Sequence, residues 1–340
     1  MINYKKTVLL TGAGFSKNFG GYLAKEMWSK IFNHPDIKKF PLIEKKLKSN
    51  FDFESVYADV LEDVSISADD KGNFQRIIIE AYVSMDDMLG RYVSNSDDPY
   101  QIHFGGVSQF LGLFAGVGDE VGIHFTLNQD LFLERQNGIV PLGLRSLQYQ
   151  HYTDAIVSHC IDSRISVSLP DNNFIENFKK DHLNSAGDLF YIKLHGSLGW
   201  YSTTGAKKMV LGNNKLASIT QEPLLKWYFN IFKETLSRDG VKLFVLGYSF
   251  NDSHINKIIV RAIKDHGLKL YIISPTDPEI FKNRLIGKPI PSEEVREIDK
   301  TGLYIWQAVS NYFPYVLKEV FPLNQNTTDK RDDLFAAVKS

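Results

Sequence analysis

The chain is predicted to be an α/β protein, a Rossmann-like parallel sheet with helices on both faces and a helical insertion. Three observations predict it. Short β-branched, apolar runs recur along the sequence and read as strands buried on both sides. Between the first two of them, about residues 35–116, the sequence turns rich in Lys, Asp and Glu with helical spacing. Four runs end in turns that carry Gly, Asn, Asp, His or Ser, and in an open α/β sheet the residues just past strand C-ends line the ligand crevice.

The first strand is read at Thr7–Thr11. Gly12 and Gly14 make its turn, and a helix follows over about Tyr22–Phe32. In the insertion, helical spacing stands out over Phe74–Val93 and Tyr100–Phe114. Strand character returns at Val121–Leu127. Residues 131–184 are mixed, with a helix near Asn172–His182. The sheet resumes at Asp188–Leu194, Val241–Leu246, Leu268–Ile273 and Leu303–Gln307. Turn residues and short β-prone runs over 201–220 suggest a hairpin.

Ser253–His266 is the cleanest helix. Ser253 is placed to cap it, Ile255, Ile258, Ile259, Ala262 and Ile263 fall on one face, and Gly267 sits where a left-handed C-terminal residue belongs. The chain from about Asn324 is polar and expected to fray. The organisation read from this is one domain over 1–322, with the helical insertion at about 35–116, and a polar tail over 323–340.

Composition narrows the function. The chain has 340 residues, 43% of them hydrophobic, enough for a sizeable core. Lys and Arg number 39 against 40 Asp and Glu, for a net charge of −1, which is no footprint for general nucleic-acid binding. Cys160 is the sole cysteine, so one chain builds neither an internal disulfide nor a cysteine-based zinc site. No apolar leader and no 18-residue apolar stretch are visible, and a cytoplasmic location is expected.

Each chemistry-bearing segment has two readings. Gly12-Ala13-Gly14-Phe15-Ser16 has the mechanics of a phosphate-binding turn, although the third glycine of the dinucleotide fingerprint is missing; the same residues also make an ordinary tight turn. Asn128 can hold a ribose hydroxyl or orient a water, and Asn128 or Asp130 can equally cap the helix that follows. His195, at a strand end before Gly196-Ser197, suits a general base near neutral pH or a hydrogen-bonded loop histidine. Gly247 and Ser249 repeat the first turn's logic, while Asp252-Ser253 can simply cap a helix. His151, His159 and His182 have no metal-ligand spacing, and no metal site is expected.

The ordered set of Gly12-Ala13-Gly14 with Ser16, Asn128 with Asp130, Leu194-His195-Gly196-Ser197, and Gly247 with Ser249 resembles the sirtuin superfamily. The resemblance implies that the Gly-Ala-Gly turn holds NAD phosphates, that Asn128 and Asp130 lie on the nicotinamide side, and that His195 acts on the ribose. Departures are informative. Protein-deacylating sirtuins carry a module with four zinc-binding cysteines, and no Cys-x-x-Cys follows Trp200; Leu127 stands where deacylases have Gln.

The segments Phe125–Asp130, Lys193–Trp200 and Leu246–Asn256 look closer to the sirtuin-like domains of bacterial antiphage systems. Those domains hydrolyse NAD⁺, and many are fused to a sensor. Here little chain remains for one, so a separate partner is implied, a HerA-like ATPase or a short Argonaute, together with a homo-oligomer.

The expectation is therefore an NAD⁺ hydrolase, with Asn128, His195 and Asp130 catalytic and Gly12, Ala13, Gly14, Ser16, Gly247 and Ser249 holding the dinucleotide. Cleavage would pass through an oxocarbenium-like state with cationic nicotinamide as a good leaving group. A zinc-free protein deacylase and a non-catalytic module sensing NAD or ADP-ribose remain the alternatives.

Overall fold

The apolar runs become strands of one sheet. A computed structural model describes residues 2–92, 99–144, 167–183, 188–287, 300–325 and 327–340. Its strands are β1 (Asn3–Tyr4), β2 (Thr7–Thr11), β3 (Glu120–Thr126), β4 (Val167–Ser168), β5 (Leu189–Lys193), β6 (Gly196–Tyr201), β7 (Lys207–Met209), β8 (Lys242–Leu246), β9 (Lys269–Ile273) and β10 (Val309–Phe313). The main sheet runs β5-β3-β2-β8-β9-β10, with β1 beside the start of β3, and its pairings are parallel. This is an α/β, Rossmann-like fold.

Register places the strand ends in one row. Thr126 lies opposite Lys193 on one side and Thr11 on the other; Thr11 faces Leu246, Leu246 faces Ile273, and Ile273 faces Phe313. The turns that follow therefore emerge along one edge.

Strand side chains alternate between the two faces. Val8, Leu10, Ile123, Phe125, Phe190, Ile192, Leu243 and Val245 share a core with the helices Pro223–Leu236 and Ser253–His266. Leu9, Phe244, Leu246 and Ile273 share the opposite core with the helices Ala24–Phe32, Pro41–Ser49, Phe53–Glu62, Ala68–Gly90 and Phe104–Gly112. The segment read as an insertion between β2 and β3 thus covers the second face of the sheet. That face also carries a row of buried polar residues, Thr11, His124, Thr126 and Lys193.

Four local readings are corrected. Leu303–Gln307 is not a strand: Thr301–Gln307 is a helix that buries Gly302 and Ile305, and the strand is the next segment, Val309–Phe313. A five-residue apolar run cannot by itself separate helix from strand, and β10 is a half-exposed edge with weak apolar character. The tail does not fray at its end. Asp329–Lys339 is a helix capped by Thr328, and Leu334 and Val338, four residues apart, are buried against the second core.

Ser253 is the first helical residue and not the cap. That position is Asp252, whose carboxylate makes no capping bond because Lys215 holds it. The hairpin is β6 with β7, but Lys215–Gln221 beyond it is helical. Among the described residues, no helix is long and apolar enough to cross a membrane.

Candidate functional site

The four segments past the strand ends are laced to one another. The Gly12 N–H donates to Leu246 O (3.0 Å) and the Gly14 N–H to Gly247 O (2.8 Å), joining the first segment to the fourth. Asn128 Nδ2 donates to Gly12 O (3.0 Å) and to Ser16 Oγ (2.9 Å), joining the second to the first. Gln129 Nε2 donates to His195 O (3.3 Å) and the Leu198 N–H to Gln129 O (2.8 Å), joining the second to the third. His195 Nε2 lies 2.9 Å from His254 Nε2, which closes the circuit between the third and the fourth.

Close approach explains the glycines of the first and fourth turns. Gly247 has φ 72°, and a Cβ there would lie 2.2 Å from the Phe15 nitrogen; a Cβ on Gly12 or Gly14 would lie 2.8 Å from Gly247 atoms. The N–H groups of Gly12 and Gly14 are thus spent inside the protein. Ala13, exposed at the start of the short helix Ala13–Lys17, and Ser249, exposed on the fourth turn, face solvent. Phe250 follows at φ 58°, a conformation disfavoured for a bulky side chain. Asn256 holds it there, donating through Nδ2 to Phe250 O (2.6 Å) while accepting from Tyr248 Oη (2.9 Å).

One wing of the site is the Ser16–Asn128–Asp130 network. Ser16 Oγ donates to Asp130 Oδ2 (2.7 Å), and Asp130 Oδ1 accepts the Phe132 N–H (3.1 Å). Asn128 is half-buried, and both hydrogens of its amide are engaged, so Oδ1 is the atom it has to offer. Burial pushes the Asp130 carboxyl up, with Lys193 and the Ser16 hydroxyl opposing.

Beneath the loop, Lys193 Nζ bonds Asp130 O and pairs with Glu134 Oε1 (2.7 Å), both side chains being fully buried. Asp86 Oδ1 accepts the Leu131 N–H (2.9 Å) and its other oxygen pairs with Arg135. The loop carrying Asn128 therefore stands on two buried ion pairs.

The other wing is His195, His254 and Asp252, whose ligating atoms all lie within 4.8 Å of one another. Burial lowers the His195 imidazole to about 3 and that of His254 to about 4, so both rings are neutral near pH 7. Burial opposes ionisation of Asp252, but His195, Lys215 and His254 beside it hold it below the usual carboxylate range. Lys215 Nζ lies 2.6 Å from both Asp252 Oδ1 and Glu54 Oε2, and Glu54 comes from the helix Phe53–Glu62 on the second face.

Of the residues singled out from sequence, Gly12, Gly14, Ser16, Asn128, Asp130, His195 and Gly247 meet in this circuit, while Ala13 and Ser249 sit at its rim. His182 lies away on the helix Asn172–Asp181 side, and His151, His159 and Cys160 fall outside the described residues. Sequence reading missed Glu54, Lys215 and His254. His254 stood next to a quoted motif, but its partner is 59 residues away.

A surface cavity of about 450 Å³ opens nearby, lined in part by Lys17, Gly20, Tyr22, Met88 and Tyr100. Neither Asn128 nor His195 lines it; the buried polar groups converge in the circuit instead.

The SIR2-like domain family model matches residues 151–290. That span holds the His195 segment, β8 and the Gly247–His254 segment, while the Gly12 and Asn128 segments precede it. No curated protein matches the chain. The match supports a sirtuin-like, NAD-related function and an enzyme that uses NAD as substrate.

Proposed function

We propose that the chain is an NAD⁺ hydrolase that cleaves the bond between nicotinamide and ribose. The observation that carries this reading is the hydrogen-bonded circuit, which sets Asn128 and His195 on adjacent strand ends at one edge of a Rossmann-like sheet. In that reading Ala13, Ser249 and the rim of the Gly12–Ser16 and Gly247 turns receive the diphosphate and adenosine side. Asn128 Oδ1 accepts from a ribose hydroxyl or the attacking water. Asp130 acts through Ser16, which fixes the Asn128 amide.

The chemistry asks little of a base. The N-glycosidic electron pair neutralises the pyridinium nitrogen as nicotinamide leaves, and water adds to C1′ of an oxocarbenium-like ribose. The added water is strongly acidic and releases one proton. A neutral imidazole such as His195 can take it even though burial makes that ring a weak base. The products are nicotinamide, ADP-ribose and a proton.

The resemblance to antiphage domains supports a role as an NAD-depleting effector. Such an enzyme must be restrained, and we infer control by homo-oligomerisation or by a HerA-like ATPase or short Argonaute partner that favours an active state. The test is chromatography of NAD⁺ incubated with the purified chain, alone and with the product of its neighbouring gene. Nicotinamide and ADP-ribose, linear or cyclic, are expected. Intact NAD⁺ at micromolar enzyme with the partner present overturns the reading. Consumption only with an acyl-lysine peptide identifies a deacylase, and binding without turnover a sensing module.

A further inference from the structure

We propose that His195, Asp252 and His254 form a binding site for one divalent ion of the zinc type. The side chains come from two segments, His195 from the turn after β5, and Asp252 and His254 from the start of the helix Ser253–His266. Nothing in their local sequence requires them to meet, yet the two imidazole Nε2 atoms face each other at 2.9 Å and all three ligating groups fall within 4.8 Å. Zinc–nitrogen and zinc–oxygen bonds of about 2.0–2.2 Å set tetrahedral ligand atoms roughly 3.3 Å apart. The rings need separate by only a few tenths of an ångström, and the carboxylate needs to swing inward.

Donor chemistry and charge fit. An Nε2···Nε2 hydrogen bond requires one ring to donate and the other to accept, so at least one already presents a lone pair inward. On binding an ion, the donating ring moves its proton to Nδ1, and both Nε2 atoms become ligands. Lys215 holds Asp252 Oδ1, leaving Oδ2 for the ion and fixing the carboxylate's orientation, as outer partners of metal ligands do. Glu54 and Asp252 together carry one more negative charge than Lys215 balances, so the pocket favours a cation. Two imidazoles and one carboxylate leave an open coordination position, and imidazole with carboxylate suits zinc or its spectroscopic substitute cobalt.

This site does not depend on the hydrolase reading, but it bears on it. His195 is the base that reading uses, so an ion held on its Nε2 competes with that role, and zinc is then an inhibitor of NAD⁺ turnover. The experiment is titration of the metal-free full chain with Co²⁺, followed by its visible d–d absorption, with equilibrium dialysis for Zn²⁺.

One equivalent at micromolar free ion is expected, with a tetrahedral-type spectrum. His254→Ala should weaken binding by at least about tenfold. His254→Gln, which keeps a hydrogen-bonding group against His195, serves as the variant if His254→Ala fails to fold, and zinc should raise the melting temperature of the wild type but not of His254→Gln. No cobalt spectrum, or binding unchanged in His254→Gln, overturns the site. These readouts need no turnover, so cobalt binding by a chain that leaves NAD⁺ intact even with its partner present sinks the hydrolase reading and leaves the metal site standing.

Discussion

Asn128 donates to Ser16, and Ser16 donates in turn to Asp130, at 2.9 and 2.7 Å. The chain of donors has one direction, set by a carboxylate that can only accept while ionised. Its consequence is that the Asn128 amide cannot turn over, and its oxygen is held for use. Asn128→Ala is expected to lower NAD⁺ turnover by roughly 10²-fold or more. Folding should survive, because Asn128 is half-buried. Ser16→Ala differs: it leaves a buried Asp130 oxygen without its donor and should cost about 1–3 kcal/mol of stability as well as activity. Chromatographic turnover and urea melts measure the two effects. Wild-type turnover in Asn128→Ala places the chemistry elsewhere.

His124 makes the fold sensitive to acid. It is buried on β3, 3.0 Å from Thr11 Oγ1, and burial lowers its imidazole to about 3. The unfolded chain takes up this proton near the ordinary histidine value of about 6.5, while the folded chain does not until far lower. The unfolded state therefore binds more protons as pH falls below that value. Stability is fully present above about pH 6.5 and is lost towards pH 3, at about 1.4 kcal/mol per unit from this group alone. Urea unfolding of the wild type and His124→Gln at several pH values checks this. The variant should lose less stability between about pH 7 and 4.5. Parallel curves would contradict the assignment.

How much of this was legible in the sequence depends on how local the signal was. The helix Ser253–His266 was readable to its last residue, because a one-face apolar pattern and Gly267 mark it. The ends of β2, β3, β5, β8 and β9 and the motifs after them were readable because each is a short apolar run closed by turn residues, whereas β10 was not. The polar row Thr11, His124, Thr126 and Lys193 hid inside apolar runs, since each strand contributes only one or two such residues. Their alternate positions, as in Leu189-Phe190-Tyr191-Ile192-Lys193, were the available signal. Lys215 and Glu54 were not legible. Lys215 reaches Asp252 from a helix after the hairpin, Glu54 reaches Lys215 from the second-face layer, and only the tertiary fold brings these together.

Gly247 should be intolerant of any side chain. Its φ of 72° disfavours L-residues, and a Cβ would strike the Phe15 backbone at 2.2 Å. Backbone on both sides cannot yield as a flexible side chain would. Gly247→Ala is expected to cost more than about 2 kcal/mol and to separate the first turn from the fourth. Denaturant midpoints measure it. A loss below about 0.5 kcal/mol, the size of an ordinary surface change, would mean the two turns do not pack this way.

The buried pair of Lys193 and Glu134 supports the Asn128 loop from below. Both side chains are fully buried, Lys193 also bonds Asp130 O, and Tyr191 Oη donates to the second Glu134 oxygen at 3.4 Å. Lys193→Met leaves the buried Glu134 carboxylate without its cation and should cost about 3–5 kcal/mol. Removing both charges, in Lys193→Met with Glu134→Gln, should recover part of that loss, because the penalty of an uncompensated charge disappears. Activity should not recover with it, since the Asp130 carbonyl still lacks its donor and the loop bearing Asn128 is loosened. A double-mutant cycle on stability, with turnover measured on the same four proteins, separates the two effects. Additive stabilities would show that the charges do not interact. Full recovery of turnover in the double variant would show that Lys193 supports the fold without positioning the loop.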